Sequence, residues 1–330
     1  MFGASRLSLW NGQAPAAGAA AVFSAGGYDN SSIDTASGQN QRTQKIYRYL
    51  LGGDTVSLLS IALTSYVDAA QSFANQTLGV ITGGGTGDAN GAPVTTVNII
   101  TFATEAKTSG TALGNATRQG RGASTTTKGY VFCPLITAFA LTNHRQDYTY
   151  STGATTYNTN VVGFGTARRD VAAANNSTKA VVTGGFISAG TTPQSDIREF
   201  TFSGETMAAA SYSLFATTAQ HSMAGNQTKY ASMGGFVNAG ATTLSTRVES
   251  YVYSSGSRTA ATAMNGHRFG DAAGDDTAGI FTGASALGSG ISYNQTTKKY
   301  TYSSDTYAVT TAIYTTEIDG PTVISNQQTC

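Results

Sequence analysis

Hydrophobic and polar positions alternate along this chain in short segments, and the segments repeat. Residues 179–186 read Lys-Ala-Val-Val-Thr-Gly-Gly-Phe, and residues 229–236 read Lys-Tyr-Ala-Ser-Met-Gly-Gly-Phe, 50 positions later. After each Gly-Gly comes a polar loop, then an alternating run: Ile197-Arg198-Glu199-Phe200-Thr201-Phe202 in one copy, Val248-Glu249-Ser250-Tyr251-Val252-Tyr253 in the other. A period of two places successive side chains on opposite faces of a strand. The same mark stands at Gly26-Gly27 and Gly83-Gly84, in degenerate form at Cys133-Pro134, and in a last copy at Gly283-Ala284. Successive marks are 57, 50, 51, 50 and 49 positions apart. A fixed period of this length identifies a repeat architecture.

Other features keep step with the mark. Turn-forming residues precede it: Asn75-Gln76-Thr77, Thr126-Thr127-Lys128, Asn176-Ser177-Thr178, Asn226-Gln227-Thr228 and Asp275-Asp276-Thr277. Such residues bond to their own backbone or adopt positive φ, so each predicts a hairpin. Before each turn lies a small-residue strand, such as Val171-Ala172-Ala173-Ala174 or Gly270-Asp271-Ala272-Ala273, suited to an innermost position where sheets crowd toward an axis. After each mark an aromatic-rich third strand is predicted (Ile46 to Leu50, Val97 to Phe102, Tyr148 to Tyr150, Phe200 to Phe202, Tyr251 to Tyr253, Tyr300 to Tyr302), and a fourth strand follows it, as at Val56 to Ile61 and Ser211 to Phe215.

Each unit is thus a four-stranded antiparallel sheet, and there are six. A lone meander cannot bury both faces, whereas six packed around an axis can. The predicted fold is all-β: a six-bladed β-propeller forming a single domain over residues 1–330, with blades near 15–65, 66–117, 118–167, 168–217, 218–265 and 266–325. Ring closure calls for a mixed blade. The tail Ile318-Asp319-Gly320-Pro321-Thr322-Val323-Ile324-Ser325 is expected to supply, or pair beside, a strand of the first blade near residues 19–25.

Composition agrees with this reading and narrows the function. Apolar residues make up 40% of the chain, enough for a sizeable core, while charged residues make up 11%, against about a quarter in a typical domain. A net charge of +1 provides no strong attraction to nucleic acid or an anionic membrane. No run of about eighteen apolar residues predicts a membrane span. Residues 1–6 do not read as the start of a signal peptide. The two cysteines, Cys133 and Cys330, make no disulfide framework: Cys133 is expected to be a small buried residue at a strand end, and Cys330 to be free or paired between chains.

The repeat resembles the Kelch family of β-propellers, whose unit runs small-residue strand, turn, strand ending in Gly-Gly, strand bearing an aromatic. Tyr253, Met264 and Arg268 follow that family's Tyr…Met…Arg order, and the resemblance covers about residues 15–325. It departs in the fourth strands, where the family's tryptophan is absent; the sole tryptophan is Trp10, so the outer strands are expected to pack on Leu, Tyr and small residues.

Chemistry is sparse. His221 and His267 stand at about the same place in successive units, so the repeat explains them without a metal, and His144 is the third histidine. The copper oxidases built on this propeller need two His and a Tyr crosslinked to a Cys, and nothing marks a tyrosine beside Cys133. The Ser-x-Asp-x-Gly-x-Thr-Trp boxes of six-bladed sialidases are missing. Arg118, Arg121, Arg168, Arg169 and Arg268 recur near the starts of inner strands, either as a basic ring at the axis or, the favoured reading, to satisfy loop carbonyls. Asp275-Asp276, with Asp271 nearby, read as a solvated turn rather than a calcium loop. Residues 83–87, Gly-Gly-Gly-Thr-Gly, lack the Lys-Ser/Thr and helix of a phosphate loop. The Asn-x-Ser/Thr triplets at Asn30, Asn75, Asn115, Asn176, Asn226 and Asn294 come with the composition. No catalytic, cofactor-binding or metal-binding residue is assigned, and no cofactor.

Loops at 87–95, 136–147, 187–195 and 237–245 are polar, nearly uncharged and expected on one side of the array, a surface suited to packing on other subunits. Low charge, Thr/Ser/Ala/Gly/Asn richness and a repetitive β scaffold look like a tailed-bacteriophage virion protein. That style implies a non-enzymatic structural or adaptor component of a tail, nozzle, collar or fibre, made in the host cytoplasm. Its expected partners are other virion proteins, copies of itself and possibly a host surface glycan, with no nucleic acid and no membrane insertion. The alternative is a carbohydrate-binding or carbohydrate-active propeller related to galactose oxidase or sialidase domains, which predicts exposed tyrosines clustered at one rim. A cytosolic Kelch adaptor is disfavoured because no helical partner segment is present.

Overall fold

A computed structural model describes residues 20–29, 42–86, 92–136, 140–159, 165–187, 192–239, 243–261, 263, 270–282, 286–287, 291–292, 294–319, 321–325 and 327. Trp10, Met264, His267, Arg268, Cys330 and the Gly283-Ala284 mark lie outside this set.

Six antiparallel sheets follow one another along the chain. Blade 2 runs Gln71–Ala74, Leu78–Thr82, Val97–Thr101 and Ala106–Ser109; blade 3 runs Arg121–Ser124, Lys128–Phe132, Arg145–Thr149 and Ala154–Asn158. Blade 4 runs Ala172–Asn175, Lys179–Thr183, Thr192–Thr201 and Thr206–Thr218; blade 5 runs Ser222–Gly225, Lys229–Met233, Val248–Val252 and Arg258–Ala260. Blade 6 runs Asp271–Gly274, Ala278–Thr282, Asn294–Thr301 and Thr306–Asp319. Blade 1 is the mixed one. Ala21–Ala25, Thr43–Leu50 and Thr55–Val67 are its outer three strands, and its innermost strand is Thr322–Ser325 from the other end of the chain. The closing pair is antiparallel, with Val22 opposite Ser325 and Ala25 opposite Thr322. The six inner strands pack in a closed ring.

Period-two alternation explains how a chain with so few charges buries both faces of every blade. Odd and even positions of one strand feed different interfaces. Phe23 packs against Ile81, Ile100 and Phe102 of blade 2, while its neighbour Val22 packs against Ala273 and Ile280 of blade 6. Val182 faces Phe132 of blade 3, and Val181 faces Tyr230 and Tyr251 of blade 5. Burial of this kind is worth about 25 cal/mol per Å² of apolar surface. Aromatics at the ends of the third strands face the preceding blade: Phe102 stacks on Phe23 at 5.1 Å, Tyr150 meets Phe73 edge-on at 6.1 Å and Phe202 stacks on Tyr130 at 5.5 Å. These rings occupy the interfaces, so no fourth-strand tryptophan is needed.

The Gly-Gly mark is a backbone requirement. Gly83 and Gly84 have φ of 61° and 101°, Gly184 and Gly185 have 60° and 87°, and a Cβ on Gly83 or Gly184 would lie 2.3 Å from the carbonyl of Thr117 or Thr218, respectively. That carbonyl belongs to the linker leading to the next blade, and it accepts from the second glycine of each mark at 2.8–2.9 Å. Cys133 takes the same left-handed conformation, φ 50°, without being glycine, and its side chain is fully buried. Burial pushes its thiol far above the ordinary cysteine range.

Two polar devices join neighbouring blades. Asn75, Asn176 and Asn226 each cap their own hairpin, the Oδ1 accepting from two backbone N–H groups, while Nδ2 donates to the next blade's turn at Thr126, Gln227 or Asp276. These amides are buried and bonded, and the triplets that contain them are part of the scaffold. The second device lies in the turn between third and fourth strands. Asp54, Glu105, Glu205 and Asp305 all sit there at φ of 47–52°. Each takes a cation from the preceding blade: Lys299 to Asp54 at 3.1 Å, Arg48 to Glu105, Lys128 and Arg145 to Glu205 at 2.6 and 3.0 Å, and Lys229 to Asp305 at 2.9 Å.

Burial pushes the Glu205 carboxyl up, but its bonds and charge interactions with Lys128 and Arg145 outweigh that and hold it below the usual range. A depressed carboxylate stabilises the fold above its unfolded pKa, and the contribution is lost as pH falls through the folded value. Glu205→Gln is therefore expected to cost about 1 kcal/mol in urea denaturation at neutral pH. The deficit should shrink as pH falls below the unfolded carboxylate range of about 4.3 and through the lower folded value, and one that stayed constant in acid would show that the ion pair is not its source.

Candidate functional site at the axis and the outer rim

Going round the axis, the first residues of the inner strands are Thr322, Gln71, Arg121, Ala172, Ser222 and Asp271. Arg121 of blade 3 and Asp271 of blade 6 are opposite one another in this ring. Their side chains meet across the axis, Nε 3.8 Å from Oδ1, with Arg121 also donating to the Gly120 carbonyl at 3.0 Å. Asp271 accepts from the backbone N–H groups of Ala272 and Val323, both at 3.0 Å. Burial pushes its carboxyl above the usual range, and Arg121 pulls it partly back. The cavity here is about 40 Å³, walled by small inner-strand residues such as Ala173, Ala174 and Gly274. That is room for a few water molecules, against the ~300 Å³ or more of a ligand pocket.

The other described arginines of the expected basic ring do not reach the axis. Arg168 donates to the Gly184 carbonyl at 3.0 Å and pairs with Asp196 at 2.8 Å, in keeping with the carbonyl-satisfying reading. Arg118 joins Arg42 on Asp68 at 3.3 and 2.8 Å, and Arg169 pairs with Asp170 at 3.2 Å. Of these, the Arg118–Asp68 pair ties one blade linker to the next.

The two described histidines, His144 and His221, are not brought together. His221 is fully buried, with Nε2 2.7 Å from Thr183 Oγ1; burial, then the charge of Arg121, lowers its pKa to about 3, so it is neutral. His144 lies on blade 3, with Nδ1 2.7 Å from the Tyr157 hydroxyl and its pKa lowered by burial. Among the described residues no three His, Cys, Asp or Glu side chains form a group able to hold a metal. Asp275 caps its own turn, accepting from the Thr277 and Ala278 N–H groups, and Asp276 follows it in the same turn, while Asp271 lies on the inner strand, as the small-residue segment from Gly270 to Ala273 predicts. The loops at 136–147 and 187–195 are shorter than the sequence predicts, because Arg145–Thr149 and Thr192–Thr201 are already strand.

Several features were invisible in the sequence. Lys298 is 5% exposed on a third strand of blade 6, where burial pushes its ammonium down to about 8. The outer strands of blades 1, 4 and 6 are 13, 13 and 14 residues long, while those of blades 2, 3 and 5 have at most five. All three long strands carry the same pair of register shifts against the third strand: after Thr43, Gln194 and Asn294, and again after Lys45, Asp196 and Thr296. Such bulges twist an edge away from further pairing. Every exposed large hydrophobic residue among those described lies on these strands: Leu58, Tyr66, Phe215 and Val309. Phe215 is 58% exposed, with the guanidinium groups of Arg247 and Arg258 each 4.1 Å from its ring centre.

No helix among the described residues is long and apolar enough to cross a membrane. The sequence matches no family model and no curated protein. Among solved structures it is similar to one described as "Structure of YjhT", with a TM-score of 0.66 and 12% identity over 87% of this chain and 96% of that one. At that identity the likeness speaks to architecture alone, and with the strand pairing it makes this chain a six-bladed β-propeller.

Proposed function

We propose that this chain is a non-enzymatic structural or adaptor component of a tailed-bacteriophage virion, a Kelch-type propeller acting through protein–protein contacts with other virion proteins and with copies of itself. The observation that carries the reading is the distribution of charge and apolar surface. Many charged side chains are drawn into ion pairs within and between blades, while the strands Thr55–Val67 and Thr206–Thr218 present no charged residue and include Leu58, Tyr66 and Phe215 among the exposed side chains. Outer strands that carry no charge of their own and expose apolar residues suit subunit packing at low desolvation cost. The small volume at the axis favours a scaffold over a substrate-binding channel. The carbohydrate reading asks for tyrosines at one rim, but Tyr47, Tyr130, Tyr148, Tyr230, Tyr251 and Tyr300 are buried between blades.

Light scattering after size exclusion, with negative-stain images of the peak, tests the proposal. A ring or other defined oligomer is expected. A clean monomer of 33.9 kDa that binds on a glycan array would overturn the proposal in favour of the carbohydrate reading.

A further inference from the structure

A recess larger than the axial cavity lies away from the axis. It is a groove of about 460 Å³ on the outer flank of blade 1, beside blade 2. Leu50, Val56, Leu58, Leu59 and Ile61 line it, and Arg48 with its partner Glu105 closes one end. The acid and the guanidinium neutralise each other, so the groove offers apolar walls and no free carboxylate among its lining residues. Its size and lining fit large apolar side chains. Leu58 is 47% exposed there, and Leu59 and Ile61 are only partly buried.

The described chain begins beside this groove. Ala20 accepts a hydrogen bond from the Leu51 N–H at 3.1 Å, and Ala21 is register partner to Leu50, a groove wall. Nineteen residues precede Ala20, and their apolar members are clustered: Leu7, Leu9 and Trp10, with Phe2 further out and Arg6 as the sole charge. Between Trp10 and Ala20 stands a spacer of small and polar residues, Asn-Gly-Gln-Ala-Pro-Ala-Ala-Gly-Ala. Nine such residues span up to about 30 Å, ample to return from Ala20 to a groove that starts one register position away.

We propose that the groove of blade 1 is the docking site of the chain's own segment 1–19, with Leu7, Leu9 and Trp10 as the apolar anchors. Tethering makes the contact intramolecular, so a modest affinity suffices to keep the groove filled. Docking would cover Leu58 and shield part of the outer edge of blade 1. This inference is independent of any role in a virion.

Trp10 is the sole tryptophan, so tryptophan fluorescence of the full chain reads the segment directly. The native protein is expected to show blue-shifted emission and an acrylamide quenching constant several-fold below that of the urea-unfolded chain, independent of protein concentration. Leu58→Asp and, separately, Ser60→Lys change exposed groove residues with little demand on the fold. Each should shift the emission to the red and restore quenching while the melting temperature stays near that of the parent. Leu7→Asp with Leu9→Asp should do the same from the segment side. Trp10 emission that is already solvent-like, or that ignores both groove variants, would overturn the proposal. Protection lost on dilution would overturn it in favour of a second copy as occupant.

Discussion

A chain lacking residues 318–330 is expected to melt more than about 10 °C below the full-length protein, or to fail to fold. Thr322–Ser325 is the innermost strand of blade 1 and is buried at every position. Val323 packs toward blade 6 and Ile324 toward blade 2, so both interfaces of blade 1 lose a core side chain. Truncating such residues costs about 2–5 kcal/mol each. The loss also strips Ala21–Ala25 of its inner partner, Asp271 of its bond from the Val323 N–H, and Ser72 of the Val323 carbonyl at 2.9 Å. Against a net stability of about 5–15 kcal/mol, these losses together are of the size of the whole. Ile324→Ala offers a graded version, expected to cost about 2–4 kcal/mol. Gly79→Ala attacks the same contact from blade 2, where a Cβ would stand 2.1 Å from the Ile324 Cδ1 atom. Circular dichroism melts of the three variants provide the check; an unchanged melting temperature on deletion would mean that the ring is not closed by this strand.

Arg121→Met is expected to cost about 3 kcal/mol at neutral pH, because it leaves Asp271 ionised and buried with no cation across the axis. The sign of the pH dependence follows from burial. The folded pKa of Asp271 already lies above the unfolded value, so its ionised form weighs against the fold at neutral pH, and that penalty is relieved as pH falls through the folded pKa. Removing the arginine enlarges the penalty. Measured relative to wild type at each pH, the deficit of the variant should therefore shrink from pH 7 toward about pH 5. The larger cause lowering the His221 pKa is burial, which the substitution leaves in place. Arg121→Met combined with Asp271→Asn should recover part of the lost stability, the coupling expected of a buried pair. Urea titrations of the four proteins at two pH values decide it. A deficit independent of pH, or a double variant as weak as the sum of the singles, would mean that Arg121 acts by packing alone.

The repeat was legible because each of its parts answers a local requirement. A hairpin cap needs Asn, Asp or Thr at a set place, a left-handed pair of residues beside a linker carbonyl calls for glycine, and a strand buried on both faces shows continuous or alternating apolar residues. Cys133 shows how far this goes. It replaces a glycine of the mark, keeps the left-handed backbone, and is buried as its strand-end position predicts. The recurrent arginines show the limit. Arg118, Arg121, Arg168 and Arg169 look alike in sequence, yet only Arg121 crosses to the opposite blade. The others meet an acid of the neighbouring linker (Arg118 with Asp68), of a third strand (Arg168 with Asp196) or of the next residue (Arg169 with Asp170).

By itself the sequence determined the number of blades, the strand order within each and the use of the tail to close the ring, because period, alternation and turn chemistry are local and repeat six times. The tertiary structure alone decided what lies between blades and along their outer edges. The acidic turn residues Asp54, Glu105, Glu205 and Asp305 are ordinary surface acids on paper; they become clamps because the preceding blade places Lys299, Arg48, Lys128 with Arg145, or Lys229 within reach. Likewise, the groove beside Leu58 and the opposition of Arg121 to Asp271 arise only when residues far apart in the chain are brought to one wall or one axis by ring closure. Local patterns specify the blade; contacts between blades depend on angles and offsets that no single repeat encodes.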